Sequence, residues 1–219
     1  MSIETRQLSR VLATALRDGP RPLLVARRAI REFSAIQRTW ELQSLLGDVR
    51  RLRPKVIVEI GTHRGGTLVC WAAMAPASAR IVSIDMPTDD WTGLGLRPED
   101  LARVKRHFKP SQTLTAITGD SHAPATRAAL DEALQGAPVD VLWIDGDHSF
   151  AGVSQDFEMY GGLVRPGGLI AFHDVRPSAL WPDFGTPAFW EQIRTRYHAR
   201  EYVADPRAGA GMGIGVLRV

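Results

Sequence analysis

VIVEIGTHRGGT, residues 56–67, decides the fold. Val56, Ile57, Val58 and Ile60 are β-branched, and so short an apolar run reads as a strand buried on both faces. Glu59 places a carboxylate near the strand's carboxyl end, where open α/β sheets put their ligands. Gly61 permits a sharp turn, and Gly65 and Gly66 leave bare backbone at the mouth of the next helix. Residues 67–75 are apolar enough to form that helix, which stops before Pro76.

A strand, a glycine turn and a helix N-terminus together suggest a nucleotide-type site. The dinucleotide fingerprint needs a second glycine where this chain has His63. An acid two places before Gly61 would repel a pyrophosphate and suit a cationic ligand. S-Adenosylmethionine (SAM) has no phosphate and carries a sulfonium and an ammonium. The pattern E-x-G-x-x-x-G-G, from Glu59 to Gly66, resembles motif I of class I SAM-dependent methyltransferases. A plain βα turn is the alternative reading of the same glycines.

From residue 56 onward strands and helices alternate, which implies a mostly parallel sheet. Strands are expected at 81–85, 113–118, 139–145 and 169–172, with 165–168 as a turn. Helices are expected at 98–108, capped by Glu99 and Asp100, and at 124–135, 150–164 and 188–197. Residues 202–204 and 212–217 read as a closing antiparallel pair, since the loop between them is too short for a crossover helix. Residues 86–98, with Trp91, read as a loop near the site. Ahead of the first strand, Leu8, Val11, Leu12, Ala15 and Leu16 form one helical stripe. Val25, Ala26, Ile30 and Phe33 form a second. In 35–49, Ile36, Leu42, Leu45, Leu46 and Val49 are expected to face a core.

The strand ends carry the chemistry. Asp85 ends strand two, where an acid commonly accepts the ribose hydroxyls; a solvated or capping acid is the alternative. Strand three ends in TGDSH: Gly119 allows close approach, and Asp120 or Ser121 can meet adenine or cap the next helix. Strand four ends in IDGDH, crowding Asp145, Asp147 and His148. Strand five ends in His173-Asp174 beside it. Such crowding is costly unless a cation or a reacting proton is present. Asp145 and Asp174 can converge on one divalent cation, with magnesium the first choice for oxygen ligands. His148 or His173 can act as general base, or serve a structural hydrogen bond.

The block WIDGDHSFAGVSQDFEMYGGLVRPGGLIAFHDV, residues 143–175, resembles a bacterial SAM-dependent methyltransferase family related to catechol-type, macrolide-sugar and cephamycin-cluster enzymes. GTPAFWEQI and GMGIGVL are similar to the same family. The resemblance implies that Glu59, Gly61 and Thr62 border the methionine part of SAM, with Gly65 beside them. It implies that Asp85 and Met86 hold ribose and adenine, that Asp120 and Ser121 meet adenine, and that Asp145 and Asp174 match acidic metal ligands. Catechol-type enzymes carry Asp-Asn or Asp-Asp after strand five; His173-Asp174 departs from that and leaves a metal-free, histidine-assisted transfer open.

The fold expectation is therefore α/β, a Rossmann-like doubly wound sheet with one antiparallel strand, preceded by helices. Residues 1–53 are expected to form a helical cap or dimerisation segment, and 54–219 the SAM-binding domain. Net charge is +3, with eleven arginines and five acids in residues 1–53. Those arginines lack interleaved aromatics, so they read as a solvated face and no nucleic acid is expected. No run is long and apolar enough for a membrane span. The lone Cys70 and the missing secretory leader point to the cytoplasm. The expected activity is O-methylation of a small-molecule acceptor, possible as a homodimer. The rivals are an NAD or nucleotide-sugar enzyme and a non-catalytic SAM-binding module.

Overall fold

The computed structural model describes residues 3–88, 95–207 and 209–219. Part of the expected 86–98 loop, Trp91 included, lies outside the described residues. Three helices come first: α1 (Ile3–Asp18), α2 (Arg21–Glu32) and α3 (Thr39–Leu52). Then follow β1 (Val56–Ile60), α4 (Gly66–Met74), β2 (Arg80–Asp85), α5 (Pro98–Lys105), β3 (Thr113–Thr118) and α6 (Pro124–Leu134). The chain closes with β4 (Val139–Ile144), α7 (Phe150–Tyr160), β5 (Val164–His173), α8 (Thr186–Ile193), β6 (His198–Tyr202) and β7 (Ile214–Arg218).

These strands form a seven-stranded sheet in the order β3-β2-β1-β4-β5-β7-β6. β1 to β5 run parallel, and β7 runs antiparallel to both β5 and β6. The doubly wound, mostly parallel sheet with one antiparallel strand is the one expected. Strand order reverses between β1 and β4, so the chain leaves those two neighbours in opposite directions. The crevice this opens at their carboxyl ends is where such sheets bind ligands.

One hydrophobic cluster covers each face. Val58, Ile84, Ile144 and Phe172 face α6, α7 and α8 through Leu130, Val153 and Trp190. Ile57, Ile81, Trp143 and Val216 face α4 and also α2 and α3, through Ala26, Leu42, Leu45 and Leu46. The expected division at residue 53 thus falls inside one shared cluster. The physical reason lies in the β6–β7 hairpin, which brings no crossover helix of its own. Helix α3 contacts both strands and covers that part of the sheet. Burying Leu42, Leu45 and Leu46 completely stabilises by about 1.5–3 kcal/mol per side chain relative to exposure.

Several local expectations differ from the structure. Residues 165–168 run on as part of β5, with an irregular register opposite Val139 and Val141. A Cβ on Gly168 would come within 2.9 Å of the Asp140 carbonyl oxygen, so glycine lets the two strands close up there. β6 begins at His198 rather than 202. Residue 204 leaves the sheet because the Ala204 amide donates to Glu41 Oε1 at 2.8 Å. Glu99 and Asp100 sit in the first turn of α5, and the N-cap position belongs to Arg97. Helix α1 turns Val11 and Thr14 inward: Trp40 Nε1 donates to Thr14 Oγ1 and Gln43 Nε2 to the Val11 carbonyl, both at 3.1 Å. Its leucines face outward, with Leu12 53% and Leu16 88% exposed. Ile36 is exposed too, because it precedes α3 and stands at the cavity described next.

Candidate active site

The turn after β1 and the turn after β4 touch at the switch point. Gly61 has φ 81°, and a Cβ there would lie 2.1 Å from the Asp145 carbonyl oxygen, so only glycine lets the turns meet. The Asp145 amide donates to the Ile60 carbonyl at 2.8 Å, and the Gly61 amide to the Ile84 carbonyl at 2.9 Å. A cavity of about 540 Å³ opens above them.

At one end of the cavity stand Asp85 and Met86 from β2, with Gly119, Asp120 and Ser121 after β3. Asp85 Oδ2 accepts from the His63 amide at 2.9 Å, and its Oδ1 from the Met86 amide at 3.0 Å. Burial raises the Asp85 carboxyl above its usual range, against the pull of those amides. Asp120 Oδ1 accepts from the His122 amide at 2.9 Å, folding the turn on itself. Gly61 and Thr62 lie between the two ends, with Thr62 Oγ1 and Ser83 Oγ 2.6 Å apart.

At the other end the predicted cluster is brought together. His173 Nδ1 lies 3.2 Å from both Asp145 Oδ1 and Asp174 Oδ2. His148 Nε2 lies 3.1 Å from Asp174 Oδ2 and 3.5 Å from Asp145 Oδ1. Burial alone would lower both imidazoles, but the paired carboxylates outweigh it, raising His148 to about 9 and His173 to about 10. The same histidines hold Asp174 far below the usual carboxylate range despite its burial. Asp174 also sits at φ 55°, a left-handed conformation that aspartate tolerates better than most residues. His148 stacks on Phe184 with centroids 4.3 Å apart, which fixes its ring plane. Asp147 turns away from this cluster, and its Oδ1 accepts from the Ser149 amide at 2.8 Å. Asp145, His148 and Asp174 each offer one ligand atom, all within 4.8 Å of one another, so the set can enclose one cation. Its two carboxylates and one imidazole suit a divalent ion with mixed oxygen and nitrogen preference.

Two predicted residues do not reach the cavity wall, Gly65 and Glu59. Gly65, at φ 79°, is the N-cap of α4 and faces Val104. Glu59 is fully buried beneath the wall, accepts from Trp71 Nε1, and is pushed up to about 8 by burial. Burial thus favours its protonated form and opposes a full negative charge beneath the wall.

Sequence reasoning missed Gln37. With Ser34, Ala35 and Ile36 it brings the α2–α3 connection into the cavity wall. Gln37 Nε2 donates to Asp145 Oδ2 at 3.0 Å, and the residue is 5% exposed. A single glutamine between two helices belongs to no motif, and no pattern in the sequence marks it.

Residues 58–175, just over half of the chain, match the family described as a methyltransferase domain. An uncharacterised protein of Sinorhizobium fredii is 28% identical over 149 residues, 66% of this chain and 16% of that protein. The chain spans about half the length, or less, of the curated relatives it matches. Among solved structures, the O-methyltransferase TomG of Streptomyces achromogenes, involved in tomaymycin synthesis and bound to SAM, superposes with a TM-score of 0.60 at 21% identity. That match covers 90% of this chain and 89% of TomG. MycE of the mycinamycin pathway, with Mg and SAH, gives 0.53 at 23% identity over 80% of this chain and 45% of MycE. At these identities the structural likenesses establish a shared fold. With the family match across the strand ends that build the cavity, they lead to one conclusion: this chain belongs to the methyltransferase domain family.

Proposed function

We propose that this protein transfers a methyl group from SAM to a hydroxyl of a small molecule. One observation carries the reading: a single cavity holds Asp85 and the 119–121 turn at one end and the Asp145–His148–Asp174 cluster at the other. Asp85 accepts the ribose hydroxyls, Met86 lies against adenine, and Gly119, Asp120 and Ser121 meet the adenine edge. Gly61 and Thr62 border the methionine end. Glu59 supports that wall from below through Trp71, and Gly65 shapes the turn into α4.

SAM supplies an electrophilic methyl carbon on its sulfonium. The chain's tasks are to align the acceptor oxygen with it and to remove the hydroxyl proton. His148, 30% exposed on its side chain, has an edge open to the cavity and takes this proton in its neutral form, the minor form at neutral pH because Asp145 and Asp174 raise the ring to about 9. Asp145 and Asp174 then hold the charged ring. His173, only 4% exposed, is a positioning residue that keeps both carboxylates in place. A divalent cation fits Asp145, Asp174 and His148 as ligands, and would supply Lewis acidity that lowers the acceptor's pKa. MycE, solved with Mg, supports that addition. Magnesium prefers oxygen ligands, so the imidazole favours a transition ion at this place.

An NAD enzyme is the weaker reading. The His63 amide, at the position of the fingerprint's second glycine, is already taken by Asp85. A mere binding module would have no use for converging carboxylates and imidazoles. Three arginines of the N-terminal helices engage acids, Arg17 and Arg51 meeting Asp18 and Arg28 meeting Glu32, which supports a solvated face rather than a nucleic-acid surface. No helix of the described residues is long and apolar enough to cross a membrane. The buried Cys70 supports a cytoplasmic setting, and the outward leucines of α1 would carry the contact of a homodimer.

The test is incubation with methyl-labelled SAM and a panel of phenols, sugars and amines. Label is expected on a hydroxyl, and to be lost in His148→Ala. Label on amines alone would overturn the O-methylation reading.

A further inference from the structure

Asp156 takes no part in the chemistry above, yet it is a carboxylate with 0% exposure. It lies on the face of α7 that meets the turn after β3. Three residues of that face, at steps of four, reach the turn. The Gly152 carbonyl oxygen lies 3.2 Å from His122 Nε2. Asp156 Oδ1 lies 3.2 Å from the same nitrogen. Tyr160 Oη donates to the Ser121 carbonyl. Neither Asp156 oxygen has a hydrogen-bond partner of good geometry among the described residues, so the contact with His122 is one of charge and distance. A buried carboxylate left this bare is costly without a cationic or donor partner, and His122 is the one at hand.

The turn needs such an anchor. β3 is the edge strand, paired only with β2, and its side chains are exposed or half-buried throughout. The strand therefore supplies little packing to hold the residues that follow it.

We propose that His122 and Asp156 form a positioning pair that holds the 119–122 turn against the adenine end of the cavity. The inference rests on the SAM reading above and names residues that set cofactor affinity rather than methyl transfer. The groups facing the pair are Asp120, whose Oδ1 lies 3.7 Å from His122 Nδ1, with Asp147, Ser121 and Tyr160. Burial pushes Asp156 up to about 6, against the Ser121 hydrogen bond and the charge of His122, so the carboxylate is ionised at neutral pH and protonates in mild acid. Protonation weakens the grip on His122, and cofactor affinity falls with it.

Titration calorimetry with SAH, the demethylated product, tests this on the full chain. Asp156→Asn is expected to weaken SAH binding about tenfold at neutral pH, through the lost attraction between the carboxylate and His122. Wild-type affinity is expected to drop further below about pH 6, and the Asn variant to lack that drop. His122→Gln, at a partly exposed site that perturbs folding little, is expected to weaken binding likewise. Wild-type affinity and a wild-type pH profile in both variants would overturn the pair's role while leaving the SAM reading intact. A wild-type protein that binds no SAH would overturn both.

Discussion

Gln37 Nε2 donates a 3.0 Å hydrogen bond to Asp145 Oδ2. The contact joins the connection between α2 and α3 to the end of β4, more than a hundred residues later. It occupies one carboxylate oxygen of Asp145 and leaves the other facing His173 and His148. Gln37→Ala would leave a part-buried carboxylate short of a donor, a loss of about 1–3 kcal/mol. We expect kcat to fall about ten- to a hundredfold, with thermal stability lowered by a few degrees beside it. Gln37→Glu sets a second carboxylate against Asp145 and is expected to do worse. Wild-type kcat in both variants would remove Gln37 from the site.

The crowded carboxylates were expected to need a cation or a reacting proton, and His148 and His173 lie within 3.5 Å of them. Chelation therefore separates the readings. Activity lost in chelator and restored by one divalent ion places the cation at Asp145, His148 and Asp174. Undiminished activity leaves the proton transfer to His148 alone. Asp174→Asn is the variant to use in both cases, because asparagine tolerates φ 55° where alanine would add strain. It is expected to be inactive, and full activity would dismiss Asp174.

Glu59 makes a prediction about stability against pH. Its folded carboxyl lies at about 8 against an ordinary 4.5. Between those values the folded protein keeps a proton that the unfolded chain has released. The contribution is therefore fully present below 4.5 and is lost as pH rises toward 8, by up to about 1.4 kcal/mol per pH unit. Glu59→Gln removes that slope while keeping the side chain's shape. Thermal melts from about pH 5 to 8 should fall more steeply for the wild type than for the variant. Parallel curves would show that Glu59 is ionised in the folded state.

The parallel strands were legible because β1, β4 and β5 are β-branched or apolar runs buried on both faces. β6 was misplaced because HAREY alternates polar residues at a sheet edge, where backbone pairing rather than side-chain burial makes the strand. Of the helical stripe read in α1, the structure buries Val11 and leaves Leu8, Leu12 and Leu16 exposed, with Thr14 packed inward beside Val11. Acids and histidines at strand ends were legible because the fold places strand ends together. Gln37 was not, because its contact spans a long sequence separation and needs the packing of α3 to exist. The burial of Glu59 beside Trp71 and Thr62 was hidden for a related reason: it is a tertiary property.

Helix α3 belongs to the sheet's core, and α1's leucines do not. Leu45→Ala, at a fully buried position, is expected to cost about 2–5 kcal/mol in denaturant unfolding. Leu16→Ala, 88% exposed, is expected to change stability by less than about 0.5 kcal/mol. Equal effects would contradict the shared core.

Cofactor binding tests the central claim most directly, and calorimetry with SAH measures it without knowledge of the acceptor. The account predicts micromolar affinity, roughly −8 kcal/mol, lost in Asp85→Ala, with no heat from NAD. NAD binding in place of SAH, or SAH binding that survives Asp85→Ala unchanged, would contradict it.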